Sequence, residues 1–288
     1  INLITTLVLF YFLKKHTNQL TALSISLLWL SVLNRTAWNV MFIPLFTIGI
    51  LFFLLRPKQT TVSLLSLVFL TSLGIHFHFQ VVLFIPLIFF YSFFIKPKFP
   101  PLKSKLIIFL FIAFLLPLLP LIVFDLRHNF LNLNAFYHFF ADKLQGSTNF
   151  SYLILLRFSL RDLIREIGQF TPWSLTLDYL TLPFVYLSIL VYFFKTKQQS
   201  FFILSLFPTI SLLTLSLYSP PNWPEYYHLS ATLVFLICLG LSLSFSKNSA
   251  KLFFVISLVT LILTVKNLLT SSTDPFSYVH KQNLITYV

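Results

Sequence analysis

The chain has 288 residues, 57% hydrophobic and 9% charged, with a mean hydropathy of +0.88 and a formal net charge of +13. Soluble domains carry about a quarter charged residues, so the composition excludes one and predicts an all-α, polytopic membrane protein. The positive charge falls in short clusters between apolar runs, as in cytoplasmic loops, which argues against nucleic acid as a partner.

Apolar segments follow one another at about 1–13, 20–33, 40–55, 61–75, 79–95, 106–124, 180–194, 200–218, 228–246 and 252–270, which predicts about ten transmembrane helices in one domain over 1–288. They are continuous blocks of Leu, Ile and Phe, whereas strands of a membrane barrel alternate over about ten residues. Ile1 already lies inside an apolar segment with no signal-peptide pattern, so the chain is expected to be a fragment lacking its natural N-terminus. The run 62–95 would be about 51 Å long as one helix, too long for a single crossing, and is expected to cross twice.

The segment 106–124 is long enough for one crossing. It closes in "LPLIVFDLRHNF", which sets Asp125, Arg127 and His128 where the helix is expected to stop at Phe124. Residues 125–179 then form one long outer connection. Its stretch "SYLILLRFSLRDLIREIGQF" places Arg157, Arg161 and Arg165 at i, i+4 and i+8, a basic stripe on an outer interfacial amphipathic helix over 151–168. The preceding "ADKLQGSTN" is the expected flexible loop. Cys238 lies inside an apolar run, so neither a disulfide framework nor a metal-cysteine spacing is present.

Alternating the connections from side to side gathers Lys14, Lys15, Arg56, Lys58, Lys96, Lys98, Lys103, Lys105, Lys195, Lys197, Lys247 and Lys251 on one face, twelve of the 20 basic residues. All 7 acidic residues fall on the other. The positive-inside rule makes the first face cytoplasmic, in the plasma membrane, and the second exterior.

The remaining polar residues cluster at exterior helix ends, in "NRTAWN", "HFH", "FDLRHN" and "SPPNWPEYYHL". A charge at bilayer depth costs about 2.5–3.5 kcal/mol on the insertion scale, so these charges surface or line a wet cavity. Each group also has a structural reading. Arg35 serves equally as an interface anchor, Asp125 with Arg127 as an ion pair, and Glu225, Tyr227 and His228 as part of an aromatic belt. His76 and His78 diverge by about 200° on a helix, which argues against a shared metal. A divalent metal stays open without a ligand set, and no other cofactor is implied.

The order "RTAWN" then "PLF", "HFQVVLFIP", "LPLIVFDLRHNFLN" and "EYYHL" before an apolar run resembles bacterial integral-membrane glycosyltransferases of the GT-C class, relatives of protein O-mannosyltransferases and the aminoarabinose transferases of lipid A. The resemblance covers about 31–246. It implies an enzyme that takes a sugar from a polyprenyl-phosphate carrier at the outer face and passes it by an inverting step to a glycan, lipid or protein acceptor. It also implies a catalytic carboxylate in a first outer loop, which would precede Ile1, so no residue here is assigned as the base. Under that reading Arg35, Arg127 and the stripe Arg157, Arg161 and Arg165 are candidates for the departing phosphate. His78, Asp125, His128, Glu225, Tyr227 and His228 are candidates for sugar and acceptor. The alternative is a transporter or lipid flippase, which should carry polar residues near mid-helix and related halves.

Overall fold

The computed structural model describes residues 2–31, 42–144, 199–217, 229–244 and 247–271, with isolated positions 156, 157, 160, 187, 190, 191 and 194. Among them the chain is all-α, without strands. In order come α1 (Asn2–His16), α2 (Gln19–Ser31), α3 (Ile43–Leu54), α4 (Thr61–Phe77), α5 (Phe84–Ile95), α6 (Ser104–Leu115), α7 (Leu119–Arg127), α8 (Leu131–Leu144), α9 (Gln199–Leu217), α10 (Leu229–Leu243) and α11 (Lys247–Ser271). Short 3-10 turns, Phe79–Leu83 and Leu116–Leu118, lead into α5 and α7.

The long run 62–95 is folded back on itself. α4 stops at His78, whose backbone is extended (φ −162°) and whose N–H donates to the Gly74 carbonyl at 2.8 Å. The 3-10 turn then packs onto α4. A Cβ on Gly74 would lie 2.7 Å from Cγ1 of the fully buried Val81, so the close approach requires glycine there. At the other end of the hairpin the flanking strands of chain meet. Lys58 and Lys98 form an isolated parallel bridge, and the Gln59 N–H donates to the Lys98 carbonyl at 2.9 Å.

Among the described residues one stretch is long and apolar enough to cross a membrane: Ser104–Arg127, 24 residues through α6, its 3-10 turn and α7. At 1.5 Å per residue it is about 36 Å long. Pro117 and Pro120 explain the 3-10 interruption, since each lacks an N–H and crowds the preceding turn. The Ser72 hydroxyl of α4 donates to the Phe114 carbonyl beside this break. Hydroxyls of neighbouring helices satisfy backbone groups in this way where no water is present. Only 11% of its most apolar window is buried. Ile107, Phe111, Leu116 and Leu119 are all exposed, so the apolar side chains look outward on several faces rather than into a core.

The core instead surrounds α10, where every residue but Leu243 is buried. α10 packs against α1, α2, α3, α9 and α11. Small residues make this possible: Gly240 would place a Cβ 2.8 Å from Ile25, and the Thr47 hydroxyl donates to that of Ser230 at 3.2 Å. Close helix approach through Gly, Ser and Thr is how bundles hold together where apolar burial between helices gains little.

The same contacts collect the basic connections at one end. Lys15 Nζ lies 5.3 Å, and the Arg56 guanidinium 4.7 Å, from the centre of the Phe52 ring. His16 meets Phe201 near the start of α9, ring centres 5.9 Å apart. With the Lys58–Lys98 bridge, this brings the α1–α2, α3–α4 and α5–α6 connections to one end of the bundle. The Lys58–Lys98 junction joins the chain just before α4 to that just before α6, and Ser72 bonds Phe114 further along both, so α6 runs alongside α4 in the same direction and Arg127 lies at the opposite end.

Three boundaries differ from the sequence reading. The helix does not stop at Phe124 but continues through Arg127. Lys247 and Lys251 belong to the first turns of α11 rather than to a loop. Ala141–Leu144, expected in the flexible loop, closes α8, a helix the sequence reading placed within an outer loop.

Candidate functional site

Asp125, Arg127 and His128 sit on the corner between α7 and α8, which is built by a specific stop signal. Asn129 takes the left-handed conformation (φ 54°), which Asn tolerates better than other residues with a Cβ, and Phe130 follows it (φ 59°). The Phe130 N–H donates to the Asp125 carbonyl at 2.7 Å, the long reverse bond of a Schellman-type helix end.

The Asp125 carboxylate then caps the next helix. Oδ1 accepts from the Asn132 N–H at 2.8 Å and Oδ2 from the Leu133 N–H at 3.0 Å. Both donors belong to the first turn of α8, whose amides have no partner within the helix, and the negative charge meets the positive end of the helix dipole. An ion pair between Asp125 and Arg127, weighed from the sequence, does not form among the described residues. Residues two apart on a helix point about 200° from each other, and Asp125 is engaged elsewhere.

Arg127 is exposed in the last turn of α7, where a cation is favoured by the dipole. The exposed His128 ring stacks on Phe124, centroids 4.0 Å apart, with Nδ1 2.8 Å from the Phe124 carbonyl oxygen. A carbonyl only accepts, so Nδ1 carries the proton of the neutral ring and Nε2 is left as an acceptor facing outward from that bond. The corner therefore offers one unshared guanidinium and one imidazole with a basic nitrogen.

His78 is at the same end but not in the same cluster. Given the Ser72–Phe114 register, α7 rises about 12 Å beyond the end of α4. His78 Nδ1 accepts the Gln80 N–H at 3.3 Å and caps the 3-10 turn. Burial pushes its pKa down to about 4. His76 Nδ1 is buried without a hydrogen-bond partner among the described residues. Arg157 is helical and exposed. Arg35, Arg161, Arg165, Glu225, Tyr227 and His228 lie outside the described residues, as does most of the expected interfacial helix over 151–168. Among the described residues no group of three or more His, Cys, Asp or Glu side chains could hold a metal ion.

Sequence reasoning missed Gln59. It is buried, and its amide nitrogen donates to the Phe53 carbonyl at 2.8 Å and the Arg56 carbonyl at 3.3 Å. Its Oε1 accepts from the Ser63 hydroxyl at 2.9 Å. Ser63 and Thr60 cap α4 reciprocally. The signal was present in "QTTVS", where a Thr three residues before a Ser opens an apolar run, a variant of the capping box.

Compared with protein-family models, curated proteins and solved structures, the chain matches none of them.

Proposed function

We propose that this chain is the multi-pass membrane bundle of a lipid-linked sugar transferase of the GT-C class, with its basic end in the cytoplasm and its α7–α8 corner at the exterior of the plasma membrane. The observation that supports it most is the exposed, unshared Arg127 at the end of the one helical stretch among the described residues that is long and apolar enough to span a membrane. A polyprenyl-phosphate donor presents its phosphate at the headgroup level, and a planar guanidinium gives two parallel bonds to a leaving phosphate. His128 Nε2, on the next residue, is an acceptor for a sugar or acceptor hydroxyl. Asp125 acts by holding the corner.

The experiment is sugar transfer from a panel of polyprenyl-phosphate sugars, in membranes containing the full-length protein. Removing a hydrogen bond to a charged group costs about 1.5–3 kcal/mol, so Arg127→Ala should lower kcat/KM by roughly 10- to 150-fold. Arg127→Lys should recover only part of this, because an ammonium lacks the fork. Unchanged transfer in Arg127→Ala would refute the assignment.

A second reading, a transporter or flippase, draws support from the buried hydroxyls Thr5, Thr21, Ser26 and Thr232, which have no hydrogen-bond partner among the described residues. Polar groups inside a bundle mark substrate paths in such proteins. That reading expects Thr21→Val and Thr232→Val to abolish activity while Arg127→Ala leaves it intact.

A further inference from the structure

The basic end carries a feature that sugar transfer at the other end does not use. Between α3, α4 and α6 runs an open apolar groove of about 560 Å³, within the roughly 300–1,000 Å³ of small-ligand sites. Phe53 closes one end, Leu65 and Phe69 form one wall, and Phe109, Ile112 and Leu116 the other. The Arg56 guanidinium lies 5.0 Å from the centre of the ring of Phe53, one of the residues that line the groove. Lys58 and Lys98, both exposed, are brought side by side by their backbone bridge, and buried Gln59 pins that junction through its bonds to the Arg56 and Lys98 carbonyls. No carboxylate pairs with these three cations among the described residues. Three like charges beside the Phe53 end of an apolar groove complement a molecule with an anionic head and a hydrocarbon tail.

We propose that this groove is a binding site for an anionic membrane phospholipid, one acyl chain lying between α4 and α6 and the headgroup phosphate held by Arg56, Lys58 and Lys98. The site is separate from the donor corner. α6 begins just after Lys98 and the chain reaches Arg127 only after about 36 Å of helix. Basic pockets between membrane helices on the cytoplasmic side bind acidic headgroups by the same logic, and each nearby cation strengthens attraction by about fivefold. The proposal rests on the membrane reading above.

The test uses the full chain reconstituted in nanodiscs of phosphatidylglycerol, or of phosphatidylcholine with identical acyl chains, followed by native mass spectrometry of retained lipid. The wild type should retain phosphatidylglycerol in preference to phosphatidylcholine. The triple variant Arg56→Gln/Lys58→Gln/Lys98→Gln should lose that preference, while Arg56→Lys keeps most of it. Ala113→Phe, which fills the groove and leaves the cations in place, should reduce retention of both lipids. Retention unchanged in the triple variant or in Ala113→Phe would overturn the proposal, as would displacement by millimolar inorganic phosphate, which would make the site one for a free anion. Carbonate extraction of the same membranes separates the two readings. Protein released by carbonate refutes the membrane reading and this proposal with it, whereas protein that stays but retains no phosphatidylglycerol refutes this proposal alone.

Discussion

Substituting Gly74 tests whether the run 62–95 doubles back, on which the sidedness of every later connection depends. A methyl group at Gly74 would sit 2.7 Å from Val81 Cγ1, 3.2 Å from Cγ2 and 3.3 Å from Cβ. Carbon atoms in good contact are about 3.5–4.0 Å apart, so one side must retreat by at least about 0.8 Å. Val81 has little room, being fully buried on a turn held by the His78 N–H to the Gly74 carbonyl and the Val81 N–H to the His78 carbonyl. Overpacking costs about 1–3 kcal/mol, and the helix propensity gained by Gly→Ala offsets up to about 1 kcal/mol. Gly74→Ala should therefore destabilise by roughly 0–2 kcal/mol, too ambiguous alone. The informative quantity is coupling. Val81→Ala removes the two nearest methyl carbons, so the double variant Gly74→Ala/Val81→Ala should be more stable than the sum of the singles predicts, by about 1–2 kcal/mol. Reversible denaturation in mixed micelles measures all three. Additivity within about 0.3 kcal/mol would show that Gly74 and Val81 are not packed together and would remove that contact from the case for doubling back.

In a Cys238→Ala background, a cysteine at position 103 should resist an impermeant maleimide in intact cells and react after permeabilisation; labelling in intact cells would invert the topology. Burial holds His78 neutral in the folded protein, its pKa lowered from 6.5 to about 4, so its contribution to stability is complete above about pH 6.5 and lost as pH falls toward 4. Protonation also removes the Nδ1 acceptor of the Gln80 N–H. The pH dependence of denaturation between 4 and 7 should flatten in His78→Gln, and an unchanged slope would count against it. Asp125→Ala should cost about 0.5–2 kcal/mol of cap and speed amide exchange at Asn132 and Leu133. Protection equal to wild type there would remove the capping role.

How much of this was legible in the sequence depended on the range of the interaction. Helix existence was readable because the apolar blocks are continuous and lack the alternation of strands, and α4, α9 and α11 begin within a few residues of the expected segments. The turn at His78 was anticipated by length alone. Its mechanism, Gly74 against Val81, was not, since a glycine inside an apolar run gives no sign of what approaches it. Asp125 looked like a partner for Arg127 because they are close in sequence. Its true partners, Asn132 and Leu133, depend on the left-handed turn at Asn129 and Phe130, which reverses the chain and which "RHNF" signals only to a reader expecting a helix on the far side. α8 went unread because "LNLNAFYHFFADKL" mixes polar and aromatic residues without a clean apolar stripe.

On the proposed reading, the difference in helix lengths would set the corner where a membrane-bound substrate presents its phosphate. Ser104–Arg127 spans about 36 Å, roughly 6 Å more than a hydrocarbon core of about 30 Å, so across a bilayer Lys103 and Lys105 would reach one headgroup layer and Arg127 the other. α4, with 17 residues and about 26 Å, falls short of the same thickness. Beside α7 the bundle is therefore lower by about 12 Å, with His78 near its floor and Arg127 near its rim. On the proposed reading, a donor whose phosphate is fixed at headgroup level by its lipid would find Arg127 exposed at that level. The guanidinium would then need no motion of the bundle to engage it, and the requirement on the protein would be a rigid corner, which the Asp125 cap and the Asn129 turn supply. Loosening the cap while leaving Arg127 intact, as in Asp125→Ala, should accordingly raise KM for the donor and lower kcat less than Arg127→Ala does. An Asp125→Ala enzyme with wild-type KM and collapsed kcat would instead place the carboxylate in the chemistry itself.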